Sequence, residues 1–424
     1  MKNILIILLL LTSTAFSQII NGRVSSSVYA FERIESSSSS TMYVRGYQAL
    51  NLSIGKENLF LRTSLNFENA YSNPLDQDSR LRFYSMYLDV RNLFQIASFK
   101  LGRQPVTAKI GGGNFDGISA KLKYFDFTLS GFYGGNVPAY QKLELTSDFA
   151  SDNVYGIGLS TPEYFNLTFN IDYYAKNSAG KEYTATRLDE NFNPITLLIR
   201  KNSTNFSFMA GTLNYSLEEL LNITTRYEYD LNFEKTSLFE ADLSYLVTKD
   251  LDVQAYYNIR EPRVRYNSIF SVFDYGNTSE VEIGAGYKFL PNYIVSSRFG
   301  MTEFKDESSG RFSLGLSTPY GTVNYRNGFG YAGELNSFSV GTSRSFFDGM
   351  ITPSVALSYV TYKLSADDKE QNLTSVLGGI NYRPFNKFSA DFQVQYLNNK
   401  IYSNDLRFLL KLNHWFNADL KNVF

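Results

Sequence analysis

The sequence contains no cysteine, one tryptophan, one histidine and ten prolines in 424 residues. Each shortage excludes something. Without cysteine there are no disulfides, no thiolate metal sites and no thiol nucleophile, and an exported chain forms no stray bridges in an oxidising compartment. A hydrolase built on histidine needs that side chain beside Ser or Asp in a pocket. The sole histidine, His414, sits in the last strand-like segment and reads as structural. The formal net charge of −1 leaves no basic footprint for nucleic acid. Beyond the N-terminus no stretch offers the ~18 consecutive apolar residues a transmembrane helix needs. No P-loop, dinucleotide fingerprint or metal-ligand spacing is present. The only Gly-rich run, Gly111 to Gly113 in KIGGGNF, lacks a following Lys-Ser/Thr pair, so it reads as a tight bend and not a phosphate cradle. Ser36 to Ser40 reads as a flexible loop tip. No enzyme activity and no cofactor is expected.

What is abundant points elsewhere. Tyr (32), Phe (35) and Gly (29) dominate, and with scarce Pro they suit long strands, since Pro removes a ladder donor. Residues 1–17, MKNILIILLLLTSTAFS, have a positive start at Lys2, an apolar core from Ile4 to Leu11 and small residues Ala15 and Ser17 before Gln18. That is the layout of a cleaved secretory signal. Residues 18–424 are then expected to work outside the cytoplasm, as one domain.

Those residues alternate with a period of two, because successive strand side chains face opposite sides. Leu251, Val253, Ala255, Tyr257 and Ile259 oppose Asp252, Gln254, Tyr256, Asn258 and Arg260. Leu406, Phe408, Leu410 and Leu412 oppose Arg407, Lys411 and Asn413. The segments run longer than the ~5–6 residues of soluble strands and match the ~9–11 needed to cross a bilayer at a tilt. Their apolar faces often end in Tyr or Phe, as interfacial girdles require. Lacking a spanning helix, a membrane protein must close its sheet, because lipid satisfies no backbone hydrogen bonds. The expected fold is therefore all-β: a transmembrane antiparallel up-and-down barrel of about 22 strands, within a range of 16–22, with no plug domain.

The links support this. Alternate links are short, such as 55–58, 124–126, 248–250 and 291–292, whereas the other set holds the long ones: 71–79, 136–153, 176–204, 263–278 and 365–372. Such asymmetry is that of a bacterial barrel with both termini in the periplasm, which places the chain in the outer membrane. The 176–204 loop is the candidate to narrow the lumen or to project as a hairpin. The terminal aromatic Phe424 resembles the signature read by barrel-assembly machinery, and 417–424 reads as a short periplasmic tail.

If one face meets lipid, the other lines a lumen. Lys121, Lys123, Asp172, Arg226, Glu228, Asp230, Glu240, Asp242, Asp252, Arg260, Glu280, Glu282, Lys288, Arg298, Arg407 and Lys411 are the candidate lining residues. Placing Arg or Lys in lipid at midplane would cost ~2–4 kcal/mol each. Arg187, Arg263, Arg265 and Tyr266 are candidate loop contacts for a ligand. The charges are of both signs, which suits either a polar channel for small solutes or a lumen packed by mutual ion pairs. The first reading is a porin-like channel for passive passage of small polar or sugar-like solutes. The second is a blocked barrel acting as surface scaffold, adhesin or secretion-system component. The expected partners are outer-membrane lipid, lipopolysaccharide, the assembly machinery and the solutes. Nothing in the sequence sets an oligomeric state.

One segment carries a resemblance. Leu101-Gly102-Arg103-Gln104, followed by Phe115-Asp116-Gly117, resembles outer-membrane porins of the alginate-export type over about 35 residues. The resemblance implies a large barrel passing polyanionic or sugar-like solutes, with Arg103, Gln104 and Asp116 near the lumen. Arg103 shares parity with the lipid-side Phe99 and Leu101, so either Gly102 is a bulge that turns the face or Arg103 reaches to the rim.

Overall fold

A computed structural model describes residues 19–419, apart from 37–38, 75–78, 108–109, 138–143, 147–148, 179–180, 189–192, 202–203, 264–275, 332, 365–367 and 401–403. Residues 1–18, where a secretory signal is expected, the terminal residues 420–424, and Arg265 and Tyr266 lie outside the described residues.

The described structure is all β. The strands are β1 (Ile19–Ser36), β2 (Ser39–Lys56), β3 (Leu59–Ser72), β4 (Arg80–Leu93), β5 (Ala97–Pro105), β6 (Asn114–Tyr124), β7 (Phe127–Val137), β8 (Asn153–Ser160), β9 (Leu167–Ser178), β10 (Lys181–Leu188), β11 (Pro194–Lys201) and β12 (Thr204–Leu217). They continue with β13 (Leu221–Asp230), β14 (Lys235–Thr248), β15 (Leu251–Arg260), β16 (Thr278–Leu290), β17 (Tyr293–Phe304), β18 (Glu307–Thr318), β19 (Gly321–Gly330), β20 (Glu334–Ser343), β21 (Ile351–Lys363), β22 (Gln371–Phe385), β23 (Phe388–Asn399) and β24 (Asp405–Asp419). All but β10 and β11 join one 22-stranded antiparallel sheet, and β1 pairs with both β2 and β24. Pairing of the first strand with the last closes the sheet into a barrel and removes its edges.

The chain divides into two compact units. One comprises Met1–Arg91, Leu246–Gln254 and Glu282–Phe424. Its antiparallel ladder runs from β17 through β24 to β1 and on to β4. The other comprises Asn92–Tyr245 and Ala255–Val281. Its ladder runs β5-β6-β7-β8-β9-β12-β13-β14. In that unit the separate hairpin β10–β11 lies within the 176–204 segment and pairs Lys181 with Lys201 through to Leu188 with Pro194.

Strand starts at Leu59, Arg80, Ala97, Phe127, Leu251 and Ile351 fall where alternation begins. The end of the chain differs from expectation. Asn417, Ala418 and Asp419 belong to β24, because Asn21, Ile20 and Ile19 of β1 pair with them across the closing ladder. A terminal strand with a partner on its edge keeps its backbone paired past the point where side-chain alternation fades.

Link lengths set the two rims apart. Short turns such as Phe125-Asp126, both at positive φ (45° and 64°), have the backbone of the tight hairpins that match strand twist. Bulges also shape the ladders. The register shifts between Ser64 and Leu65 where β3 meets β4, and between Glu228 and Tyr229 where β13 meets β14. No helix among the described residues is long and apolar enough to cross a membrane.

Candidate functional site

The two faces of the sheet differ as a barrel wall should. Leu406, Phe408, Leu410 and Leu412 are exposed along one face of β24, as are Leu129 and Tyr133 on β7, Ile157 and Leu159 on β8, and Val281 and Ile283 on β16. Charged and hydroxyl-bearing residues take the opposite face, which we term inner. Antiparallel partners directly opposite share a face, so the ladders test which candidates belong together. Lys121 opposes Ser130, Ser130 opposes Gly158, Gly158 opposes Asp172, Asp172 opposes Ala210 and Ala210 opposes Glu228. Arg226 opposes Glu240, and Thr224 opposes Asp242. Lys121, Asp172, Arg226, Glu228, Glu240 and Asp242 therefore stand on one face, and Lys123 and Asp230 share its parity.

In the unit containing β5–β14, the inner face carries a buried apolar patch. Ile110, Phe115, Phe132, Val154, Tyr174, Phe208 and Ala210 form it, with Val106 and Phe206 packed against it. Phe115, Phe132, Val154, Tyr174 and Phe208 come from five neighbouring strands. Val106 and Ile110 come from the β5–β6 link. That link therefore folds onto the inner wall. Its return is set by Val106 N donating to Gly113 O at 2.9 Å. Gly111, at φ +86°, lies so close to Tyr174 that a Cβ would sit 2.5 Å from the ring. Only glycine allows both the backbone angle and the approach. The GGG run is thus a bend that seats a link on the wall, and this inward link is 106–113, whereas 176–204 forms a hairpin.

Beside the patch stands a charged cluster. Glu228 is fully buried and accepts from both Arg226 and Arg263. Arg263 also lies over the Phe208 ring, 5.3 Å from its centroid. A buried carboxylate survives only when paired and hydrogen-bonded, and here two guanidinium groups supply that. Glu240 receives bonds from Tyr256 Oη and Asn258 Nδ2, each at 3.2 Å. Arg260 shares the parity of Tyr256 on β15. Arg187 lies in β10, on the hairpin, away from this cluster in sequence and ladder; Arg263 is the loop candidate that reaches the wall.

The other unit has a polar inner wall. Arg311 Nε donates to Glu282 Oε2 at 2.9 Å, and Arg298 donates to Gln254 Oε1 at 3.1 Å while standing 3.7 Å from Glu282. Glu282, Arg298 and Arg311, with Ser296, Ser313, Asn324 and Arg326, line a recess of about 570 Å³. Glycines make it possible. A Cβ at Gly284 would lie 3.0 Å from Arg298 Cγ, one at Gly300 3.1 Å from Arg311 Nε, and one at Gly286 2.5 Å from Asp252 Oδ1. Charged side chains lie along the wall where a neighbouring strand has no side chain. Glu280, Glu282 and Lys288 share one parity of β16. On β24, Arg407 Nε donates to the buried Asp405 at 2.6 Å, and Lys411 opposes Asp391.

Sequence reasoning missed a further group on β3 and β4. Arg62 and Arg91 both reach Asp89, at 3.2 and 2.8 Å, and Arg82 reaches Glu68 at 3.1 Å. Arg82 and Asp89 have opposite sequence parity, yet the ladder puts both on the inner face, opposite Asn66 and Phe60. The bulge turns the parity midway along β4, so alternation alone hides the cluster.

The motif residues are placed as follows. The β5–β6 ladder runs from Ala97 to Pro105 without a register shift, although Gly102 has φ +127°. Gly102 is therefore no bulge, and Arg103 keeps the face of Leu101 and Ile118. It does not reach into solvent at the rim. Arg103 pairs with Asp116 at 2.7 and 2.9 Å, and the guanidinium also donates to Glu144 O at 2.8 Å. Thr146 N donates to Asp116 Oδ2 at 3.0 Å, and Thr146 sits where Gly135 leaves room for it. The β7–β8 link thus folds back over the outer face and buries the pair. Gln104 takes the inner parity, receiving from Ser119 Oγ at 2.6 Å and donating to Gly117 O at 3.1 Å. His414 stands on the outer face near Phe416, with ring centroids 6.4 Å apart. Among the described residues no group of three potential metal ligands occurs.

No family model and no curated protein matches the sequence. Solved structures resemble it in fold. The ferric enterobactin receptor PfeA of Pseudomonas aeruginosa, as the R480A mutant with enterobactin, superposes with a TM-score of 0.60 at 8% identity, covering 93% of this chain and 81% of that one. The translocation pore of the P pilus usher PapC superposes at 0.50 with 9% identity, covering 94% and 99%. Acinetobacter baumannii OccAB1 is similar at a TM-score of 0.41 and 10% identity over 94% and 97%. At such identities the likeness to the first two is one of fold: a large outer-membrane-type β-barrel.

Proposed function

We propose that this protein is a porin-like channel of the outer membrane, passing small polar or sugar-like solutes passively. The observation that carries the reading is the inner face itself. Its charges are of both signs and lie along the wall, held there by neighbours such as Gly284, Gly286 and Gly300. A wall that stores its ion pairs flat leaves room for solute, whereas a wall packed to block conduction needs side chains reaching inward. Arg263, paired with Glu228 beside the inward link, keeps more than a third of its side chain exposed and offers a cation to a polar solute. Catalysis is no part of this proposal, and the partners it implies are lipid, lipopolysaccharide, the assembly machinery and the solutes.

The test is single-channel recording on the refolded barrel in planar bilayers. Stepwise openings are expected, together with swelling of liposomes in small sugars. A folded, heat-modifiable barrel that stays electrically silent would instead favour the second reading, a surface scaffold, to which the projecting β10–β11 hairpin would be suited.

A further inference from the structure

The short-turn rim carries aromatic residues in a backbone conformation that disfavours them. Phe94, Phe125, Phe165 and Phe347 have φ of 51°, 45°, 50° and 54°. The left-handed region is a genuine outlier for a bulky residue, and turns that need it normally take Gly, Asn or Asp. The same four side chains are 83%, 78%, 93% and 72% exposed. In water both features are unfavourable: the backbone is strained, and a large apolar ring is left uncovered. Asn at each position would relieve both. Four short turns, three in one unit and one in the other, nonetheless carry the pattern, whereas Glu57, Glu218 and Asn292 take this conformation in other short turns.

We infer that these rings are seated in the headgroup region of the membrane leaflet next to the short-turn rim, and that they fix the depth of the barrel. The occupant is identified by continuity with the lipid-facing surface. Phe125 packs edge-on against Tyr124, ring centroids 4.4 Å apart, and Tyr124 continues the outer-face row of Ile118, Ala120 and Leu122. Phe165 follows the exposed Tyr164 and precedes Leu167, the first outer-face residue of β9. Phe347 follows the exposed Phe346. The apolar outer surface therefore continues round the turn instead of stopping at the strand end. Aromatic rings are favoured where apolar chains meet headgroups, and that environment offsets both the strain and the exposure. Each ring stands singly on its own turn, three in one unit and one in the other, and Phe125, Phe165 and Phe347 each adjoin exposed apolar residues of their own strand ends.

The test uses the full barrel in lipid. Trp415 is replaced by Phe, and single reporters are made as Phe94→Trp, Phe125→Trp, Phe165→Trp and Phe347→Trp, with Asp306→Trp in an opposite-rim turn for comparison. The variants are reconstituted in phosphatidylethanolamine–phosphatidylglycerol vesicles containing acyl chains brominated at shallow or deep positions. Blue-shifted emission and severalfold stronger quenching by the shallow label than by aqueous iodide are expected at the four tips. Red-shifted emission quenched mainly by iodide would overturn the inference, since the rings would then stand in water or await a soluble partner. A fourfold Phe→Asn variant gives a second reading that separates anchoring from folding. It should fold in detergent at least as well as the parent, yet insert into preformed vesicles severalfold more slowly. Equal insertion rates would count against anchoring while leaving the channel proposal untouched.

Discussion

Arg103 Nε lies 2.7 Å from Asp116 Oδ1, and both side chains are buried on the face that otherwise carries exposed Leu101 and Ile118. The pair is clamped from above by Glu144 O and Thr146. A charged pair on the lipid parity is tolerable only because the β7–β8 link covers it and its hydrogen bonds are met. Removing one partner strands the other. Asp116→Ala should cost ~3–5 kcal/mol, the usual penalty for breaking a buried pair. Urea unfolding in lipid would measure it, and Arg103→Leu combined with Asp116→Leu should lose much less than the two single changes together. The single variant should also become sensitive to protease within the β7–β8 link.

Ile110 anchors the inward link, being fully buried against Phe115 and its neighbours. Ile110→Ala removes most of that contact and should destabilise the seated link by about 2–5 kcal/mol, the range for such truncations. Its functional consequence is a larger or noisier single-channel conductance. Unchanged conductance with a released link would mean that the link does not narrow the path.

Glu282 offsets Arg311 and Arg298 on the inner wall of β16–β18. Glu282→Gln leaves the two guanidinium groups without their carboxylate. The reversal potential in a salt gradient should move toward anion preference, and the effect should weaken at high ionic strength as screening shortens the reach of the wall charges. Arg311→Gln should move it the opposite way.

The parity itself can be tested on neighbouring strands. Leu410 is exposed on the outer face of β24, whereas Gln393 of β23 opposes the inner-face Leu409. Leu410→Arg should cost ~2–4 kcal/mol if it lies near the bilayer midplane. Gln393→Arg should cost little and alter conductance instead. Equilibrium folding in lipid vesicles distinguishes the two.

Much of this was legible along the chain. Alternation locates strands because the side-chain period of two is local, and Leu251 to Arg260 shows it without help from any other segment. Short turns such as Phe125-Asp126 and Pro291-Asn292 are local too. That Arg82 and Asp89 share a face was not legible, since a bulge changes which face a residue takes without leaving a mark in the spacing. The seating of Ile110 was equally hidden: a link of this length can project or fold inward, and the choice rests on Phe132, Val154, Tyr174 and Phe208, which lie far along the chain.

By itself, then, the sequence determined an all-β chain of long strands with one apolar and one polar face, because those features depend on neighbours one or two residues away. Only the tertiary structure decided that β24 closes on β1 as far as Asp419, that Arg103 and Asp116 are covered on the outer face, and that the GGG bend lays its link against Tyr174. Each of these depends on which distant backbone lies alongside, and side-chain periodicity carries no record of that.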